Sequence, residues 1–244
     1  MEKVVYVLWR RQDQDSASLR AYLCGDVAAR LVDLGARGIQ VNVSDDAVAA
    51  ADGLRQRSTR PQMDAVLSAW VDTAIARYRR PFDDVVEASV GRMAAYLVTE
   101  SQPLRNTLHP PVPGQRTTGF SQLAFLKRPP RLTHEAWLDV WHNSHTQVAV
   151  ETQSSFFYVQ NVVVRPLSHA APALDAMVEE CFPSEAMSDP HVFFDAAGDD
   201  QKLHRNRAAM MESCRRFIDF DDVRKHFVID VVPTSQYVVE PPSG

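Results

Sequence analysis

Trp141 and His145 stand four residues apart in the run FLKRPPRLTHEAWLDVWHNSH (125–145), and Trp137, Val140, Trp141, His145 and Val148 share one helical face. An imidazole held among indoles is driven toward its neutral form. It can then accept a proton or donate one from its other nitrogen, which is what a cofactor-free lyase or cyclase requires. The same pattern fits a core histidine bonded to a backbone carbonyl. Polar residues on strands supply further candidates. In FFYVQN, Tyr158 and Gln160 lie on one face and Phe157 and Asn161 on the other, while Asp175, Met177, Glu179 and Cys181 share a face of LDAMVEECF. Carboxylates on a strand buried on both sides need partners or raised pKa values, so Asp175 and Glu179 are candidates for acid/base work. A wet sheet edge would accommodate them equally.

These residues define an expected site. His145, Tyr158, Asn161 and Asp175 are the catalytic candidates, and Trp141, Phe157, Met177 and Glu179 line the substrate pocket. His145 moves the proton, Trp141 and Phe157 form an apolar wall, and Tyr158 or Asn161 polarises a carbonyl or phenol. No metal or cofactor is expected. His142 and His145 have a spacing that can chelate, but no third ligand stands at a convincing offset, and His204 and His226 are remote. The chain has no GxGxxG, GxxxxGK[ST] or GxSxG.

The elements that must carry these residues come in the same order twice. Strands are predicted at 3–10 and 119–127, each leading into an amphipathic helix. Ser16 or Ser18 can cap the first helix, which carries Leu19, Tyr22, Leu23, Val27 and Leu31 and closes at Gly35. Thr133 can cap the second, with Leu132 stapled onto Trp137. Strands follow at 38–43 and 155–164, and then the near-rhyme of MDAVLSAWV from Met63 with LDAMVEECF from Leu174. FDDVVEASVGR leads into a strand at 93–100, and NRAAMMESCRRFID leads into one at 224–232. In the first half, Tyr22 and Asp26 are expected where the second has Trp141 and His145. The fold expected is α+β, with two ferredoxin-like βαββαβ units joined into one intrachain dimeric α+β barrel. The first unit is 1–104 and the second 118–236. Between them runs a Pro-rich linker, 105–117, the core of the loop-like stretch 102–119.

Composition narrows the function. With 244 residues, 45% hydrophobic and 23% charged, the chain can bury a large core. A net charge of −5 with no block of Lys or Arg gives no footprint for nucleic acid or an anionic membrane, and no apolar run is long enough to span a bilayer. Cys24, Cys181 and Cys214 are far apart and odd in number, so no disulfide framework is expected and a reduced, cytoplasmic setting fits. The start, MEKVVYVLWRR, lacks the form of a signal peptide. The expected partner is a small-molecule substrate, with a homodimer also compatible.

LKRPPRLTHEAWLDVWHNSH followed by YVQN, within 126–161, resembles the opening of an EthD domain, of the dimeric α+β barrel superfamily. LDAMVEECF and RFID resemble its third strand and the end of its second helix, so the likeness covers most of 119–232, while the N-terminal half is similar in layout only. The resemblance implies a tandem-fused barrel with a small apolar pocket and a functional His145. The sequence departs from the family's His-x-Pro, having His145-Thr146-Gln147. The activity implied is that of a cofactor-independent dehydratase, decarboxylase or cyclase on aromatic or polyketide-like molecules. Alternatives are a monooxygenase of the superfamily or a non-catalytic binding protein of a degradation pathway.

Overall fold

A computed structural model describes residues 1–220 and 230–240. Eight antiparallel strands close into a barrel in the order β1-β3-β2-β8-β5-β7-β6-β4. They are β1 Glu2–Trp9, β2 Arg37–Val43, β3 Ala65–Val71, β4 Arg92–Leu104, β5 Phe120–Leu126, β6 Phe157–Pro166, β7 Ala176–Phe182 and β8 Asp230–Val238. Within each half the sheet order is fourth, first, third, second. The seams β2–β8 and β4–β6 join the halves, so the barrel closes within one chain. Residues 221–229, which hold His226 and most of the strand expected at 224–232, lie outside the described residues.

Four main helices accompany the strands. Residues 16–33 form α1, capped by Asp15 rather than by Ser16 or Ser18, and Ala76–Glu87 form α2. Residues 134–152 form α3, with Thr133 accepting from the Ala136 amide, and Asp200–Phe217 form α4, capped by Asp199. Two of them start earlier than the sequence suggests. α2 runs through Pro81 from Ala76, where the buried Arg79 guanidinium ties the helix to Asp83, to the Ala74 carbonyl and to the Leu167 carbonyl. These bonds offset the amide that proline lacks.

Strand alternation divides the buried side chains into an inner and an outer set. Val5, Val7, Trp9, Val66, Tyr96, Leu123, Phe125 and Met177 fill the barrel. Outside it, Leu19, Leu23, Val27 and Leu31 of α1 pack onto Val4, Tyr6, Leu8, Val41 and Leu67. Trp137 and Trp141 of α3 and Phe217 of α4 pack onto Leu126, Tyr158, Val178 and Val231. Because the strands are buried on both faces, they read as nearly continuous apolar runs rather than as alternating ones.

Residues 105–119, between β4 and β5, run across one end of the barrel and bond back to β8 through Gly114 and Thr117. Gly119 ends this crossing at φ +83°, with a Cβ position only 1.9 Å from the Phe182 carbonyl oxygen, so only glycine fits. The loop-rich segments 165–173 and 183–203, to which the sequence assigns no role, lie against the barrel strands. Leu167 and Ser168 bond to β4, and Phe193 packs on Phe120, Phe182 and the first half's Val48.

Candidate active site

The middle of α3 is a π-helical turn, Trp141–His145, in which the Thr146 amide reaches back to the Trp141 carbonyl. Such turns crowd an extra residue into the helix and reorient the side chains they carry. α1 has the same device at Leu23–Val27. Aligned on these turns, Leu23 and Val27 take the places of Trp141 and His145. The expected counterparts, Tyr22 and Asp26, are displaced by one residue, and Asp26 is exposed.

A cavity of about 410 Å³ lies between α3, α4 and the outer face of β5, β7, β6 and β8. Trp141, Val178, Met210, Cys214, Phe217 and Val231 supply its apolar wall, and His145, Tyr158, Glu180, Gln122 and Gln153 its polar groups. Leu54, Arg55 and Gln56 come from the first half, where the 3-10 helix Asp46–Leu54 and the following chain reach over the second. Gln56 bridges to Val231, and the Asp230 carboxylate holds the amides of Ser58 and Thr59, pinning this cover.

His145 is buried, with Nδ1 3.0 Å from the Ser213 hydroxyl of α4 and its ring 4.5 Å from that of Phe217. Burial, with the nearby Arg216 charge adding to it, pulls its pKa down to about 4, so the imidazole is neutral at pH 7. Among the described residues the partner of Nδ1 is a serine hydroxyl, neither a carboxylate nor a backbone carbonyl. Tyr158 accepts from Trp141 Nε1 at 3.2 Å and from Gln160 Nε2 at 3.3 Å. With both lone pairs engaged, its own O–H is left to donate. Burial holds its pKa well above the ordinary phenol value.

Glu180, absent from the expected set, is the carboxyl among the residues that line the cavity. It pairs with Tyr158 across the β6–β7 ladder, on the same outer face. Burial raises its pKa to about 7, and its Oε1 has no partner among the described residues. Ladder parity was the signal that could have found it: a strand that shows Tyr158 to α3 requires its neighbour to show Glu180 rather than Glu179.

The remaining expected residues lie elsewhere. Asn161, Met177, Glu179 and Phe157 face the barrel interior, separated from His145 by the sheet. Glu179 is fully engaged there, accepting from Asn42, Ser121 and Gln236 on one oxygen and from Gln40 on the other. Asn161 Oδ1 accepts from Lys3. Asp175 binds the Arg128 amide at 2.8 Å, as Asp64 binds the Arg10 amide at 3.0 Å in the first half. Two equivalent aspartates clamping the chain after the first strand of each half make this a turn device. His142 and His145 diverge, the first lying against Trp141 and the second against Ser213. Among the described residues no three His, Cys, Asp or Glu side chains gather as a metal site, and no helix is long and apolar enough to cross a membrane.

The EthD domain family matches residues 129–221, the segment from the turn after β5 to just beyond α4. No curated protein sequence matches the chain. The solved structure of an anthrone oxidase-like protein aligns over 98% of this chain and 92% of its own, with a TM-score of 0.56 at 8% identity. A protein from Fusobacterium nucleatum provisionally named a monooxygenase aligns over 100% and 94%, with a TM-score of 0.50 at 9% identity. At such identities what is shared is the fold, an α+β barrel.

Proposed function

Starting from a chain whose residues 129–221 match the EthD domain family, we propose that it is a small-molecule enzyme working by proton transfer in the cavity beneath α3. The observation that carries this reading is Glu180: a buried carboxyl with a pKa near 7, one oxygen unpaired, in an apolar cavity that also holds a neutral imidazole. A carboxyl poised near working pH serves as a base in one protonation state and an acid in the other. Glu180 takes a proton from carbon next to a carbonyl or conjugated to one through an aromatic ring, the Tyr158 O–H donates to the oxygen on which charge develops, and His145 relays the proton to the departing or rearranging group. For a β-hydroxy ketone the balance is one C–H and one C–O bond broken, one C=C formed and water released. An isomerase would return the proton to another carbon. The apolar walls and the volume suit an aromatic-sized metabolite.

The architecture supports this asymmetrically. We read the chain as two fused ferredoxin-like units, 1–104 and 118–236, joined through 105–117, with the second unit keeping the site and the first supplying its cover. Of the expected residues, His145, Tyr158 and Trp141 keep their roles in this reading. Glu180 takes the part assigned to Asp175 and Glu179.

One structural relative is described as anthrone oxidase-like, so anthrone, with its acidic benzylic hydrogens, is a suitable probe. The test is proton NMR of solvent deuterium exchange into anthrone and related hydroxyaryl ketones. Exchange should exceed buffer with the wild-type chain and collapse in Glu180→Gln, while fluorescence-detected binding persists. Binding with no exchange across the panel would instead favour a non-catalytic carrier. A monooxygenase would use the same proton removal and then consume O₂, which an oxygen electrode reads directly.

A further inference from the structure

A second cavity, of about 330 Å³, opens at the end of the barrel that residues 105–119 cross, on the interior side of the sheet and apart from the His145 site. Trp70 and Phe157 provide aromatic surface in its wall. Its charged side chains are Lys3, Arg105, Glu100, Glu179 and Glu240, one negative charge in excess. Most of that charge is already committed to partners, and Arg105 is exposed to solvent. Lys3 is paired with Glu100 and Asn161, and Glu179 has its four donors. Glu240 differs: its Oε2 is buried with no partner among the described residues, while its backbone amide is fixed to the Ile39 carbonyl.

A buried carboxylate oxygen without a donor is costly unless something supplies one. Water could satisfy it, but water would gain little from an aromatic wall. A ligand with an ammonium group and a short apolar body answers both features. Its N–H groups pair with Glu240, its charge offsets the excess, and the same cation can lie against the Trp70 face. We infer that the barrel mouth is a binding site for a small organic cation of the primary-amine class, formed jointly by the two halves of the chain.

The experiment is isothermal titration of the full chain with n-butylammonium, beside butan-1-ol and butyrate as neutral and anionic isosteres. The wild type should give saturable heat with butylammonium and markedly less with the other two. Glu240→Gln should weaken butylammonium by about tenfold or more, as expected for loss of a charge-assisted hydrogen bond. Trp70→Leu should weaken it less, and Glu180→Gln, in the other cavity, should leave it unchanged. Circular dichroism confirms that each variant is folded. The inference is overturned if butylammonium gives no saturable heat, if butyrate or butan-1-ol binds as well, or if folded Glu240→Gln binds like wild type.

Discussion

Glu180 and His145 line one cavity but should tilt the stability of the protein in opposite directions with pH, and two substitutions can separate them. The Glu180 pKa rises from 4.5 to about 7 on folding, so below 4.5 the group contributes no penalty. Between 4.5 and 7 the folded state keeps a proton that the unfolded state has lost, and stability falls as pH rises. At about 1.4 kcal/mol per pH unit the penalty reaches ~3 kcal/mol above pH 7. The His145 pKa drops from 6.5 to about 4, so between those values the unfolded state binds the extra proton and stability rises with pH by a similar total. Neither group is among the causes of the other's shift, so the two slopes should add and nearly cancel between pH 4.5 and 6.5. Urea denaturation of wild type, Glu180→Gln and His145→Gln at half-unit steps from pH 4 to 8 reads this out as differences from wild type. Glu180→Gln should gain about 3 kcal/mol on wild type between pH 4.5 and 7, and His145→Gln should lose about as much between pH 4 and 6.5. Difference curves that are flat, or that bend the same way, would refute the reasoning.

Two further substitutions test how the halves are built. Leu23→Ala, at the first half's counterpart of Trp141, removes a fully buried side chain and should cost roughly 2–5 kcal/mol in urea denaturation. It should leave proton exchange in the second-half cavity unaffected. Gly119→Ala places a methyl against the Phe182 carbonyl at a positive φ and should cost more than about 4 kcal/mol, seen calorimetrically as a midpoint lowered by ~8 °C or more. A smaller drop would mean that the crossing of 105–119 tolerates rearrangement.

The order of elements was legible because most strands are short apolar runs and α1 and α3 carry apolar residues at three- and four-residue steps. α2 was harder: Pro81 reads as a boundary, and the contacts of Arg79 that carry the helix past it come partly from Leu167, nearly ninety positions away. Within the site, Trp141 and His145 could be read from helical periodicity, and Tyr158 from its place on the following strand. Glu180 could not be read that way. In a sheet with one wet face, alternation in polarity tells which side meets the helices. Here Glu179 and Glu180 are both buried, one inside the barrel and one outside, so composition is silent about which faces α3. The cover formed by Leu54, Arg55 and Gln56 was hidden for a related reason, because it is a contact between halves that no local pattern encodes.

Strand register lets the two outer faces be compared position by position. Ala65 pairs with Leu8 and Ala176 with Leu126, so Ala69 is the counterpart of Glu180; the π turns likewise match Val27 with His145 and Leu23 with Trp141. β2 and β6 match through Val43 and Val162, which sets Val41 against Gln160. At each of these positions where the second half has a polar or titratable group, the first has an aliphatic one, and Leu23, Val27 and Val41 are fully buried. The structural devices, by contrast, persist in both halves: the π turn, the aspartate clamp of Asp64 and Asp175, and the interior asparagines Asn42 and Asn161. At these matched positions the first half presents packed apolar side chains, while elsewhere on its outer face Tyr6 keeps a hydroxyl bonded to Asp83. Glu180, matched by Ala69 in the first half, is the group on which the proposed proton-transfer reading places the energetic penalty of a site, its Oε1 without a partner among the described residues.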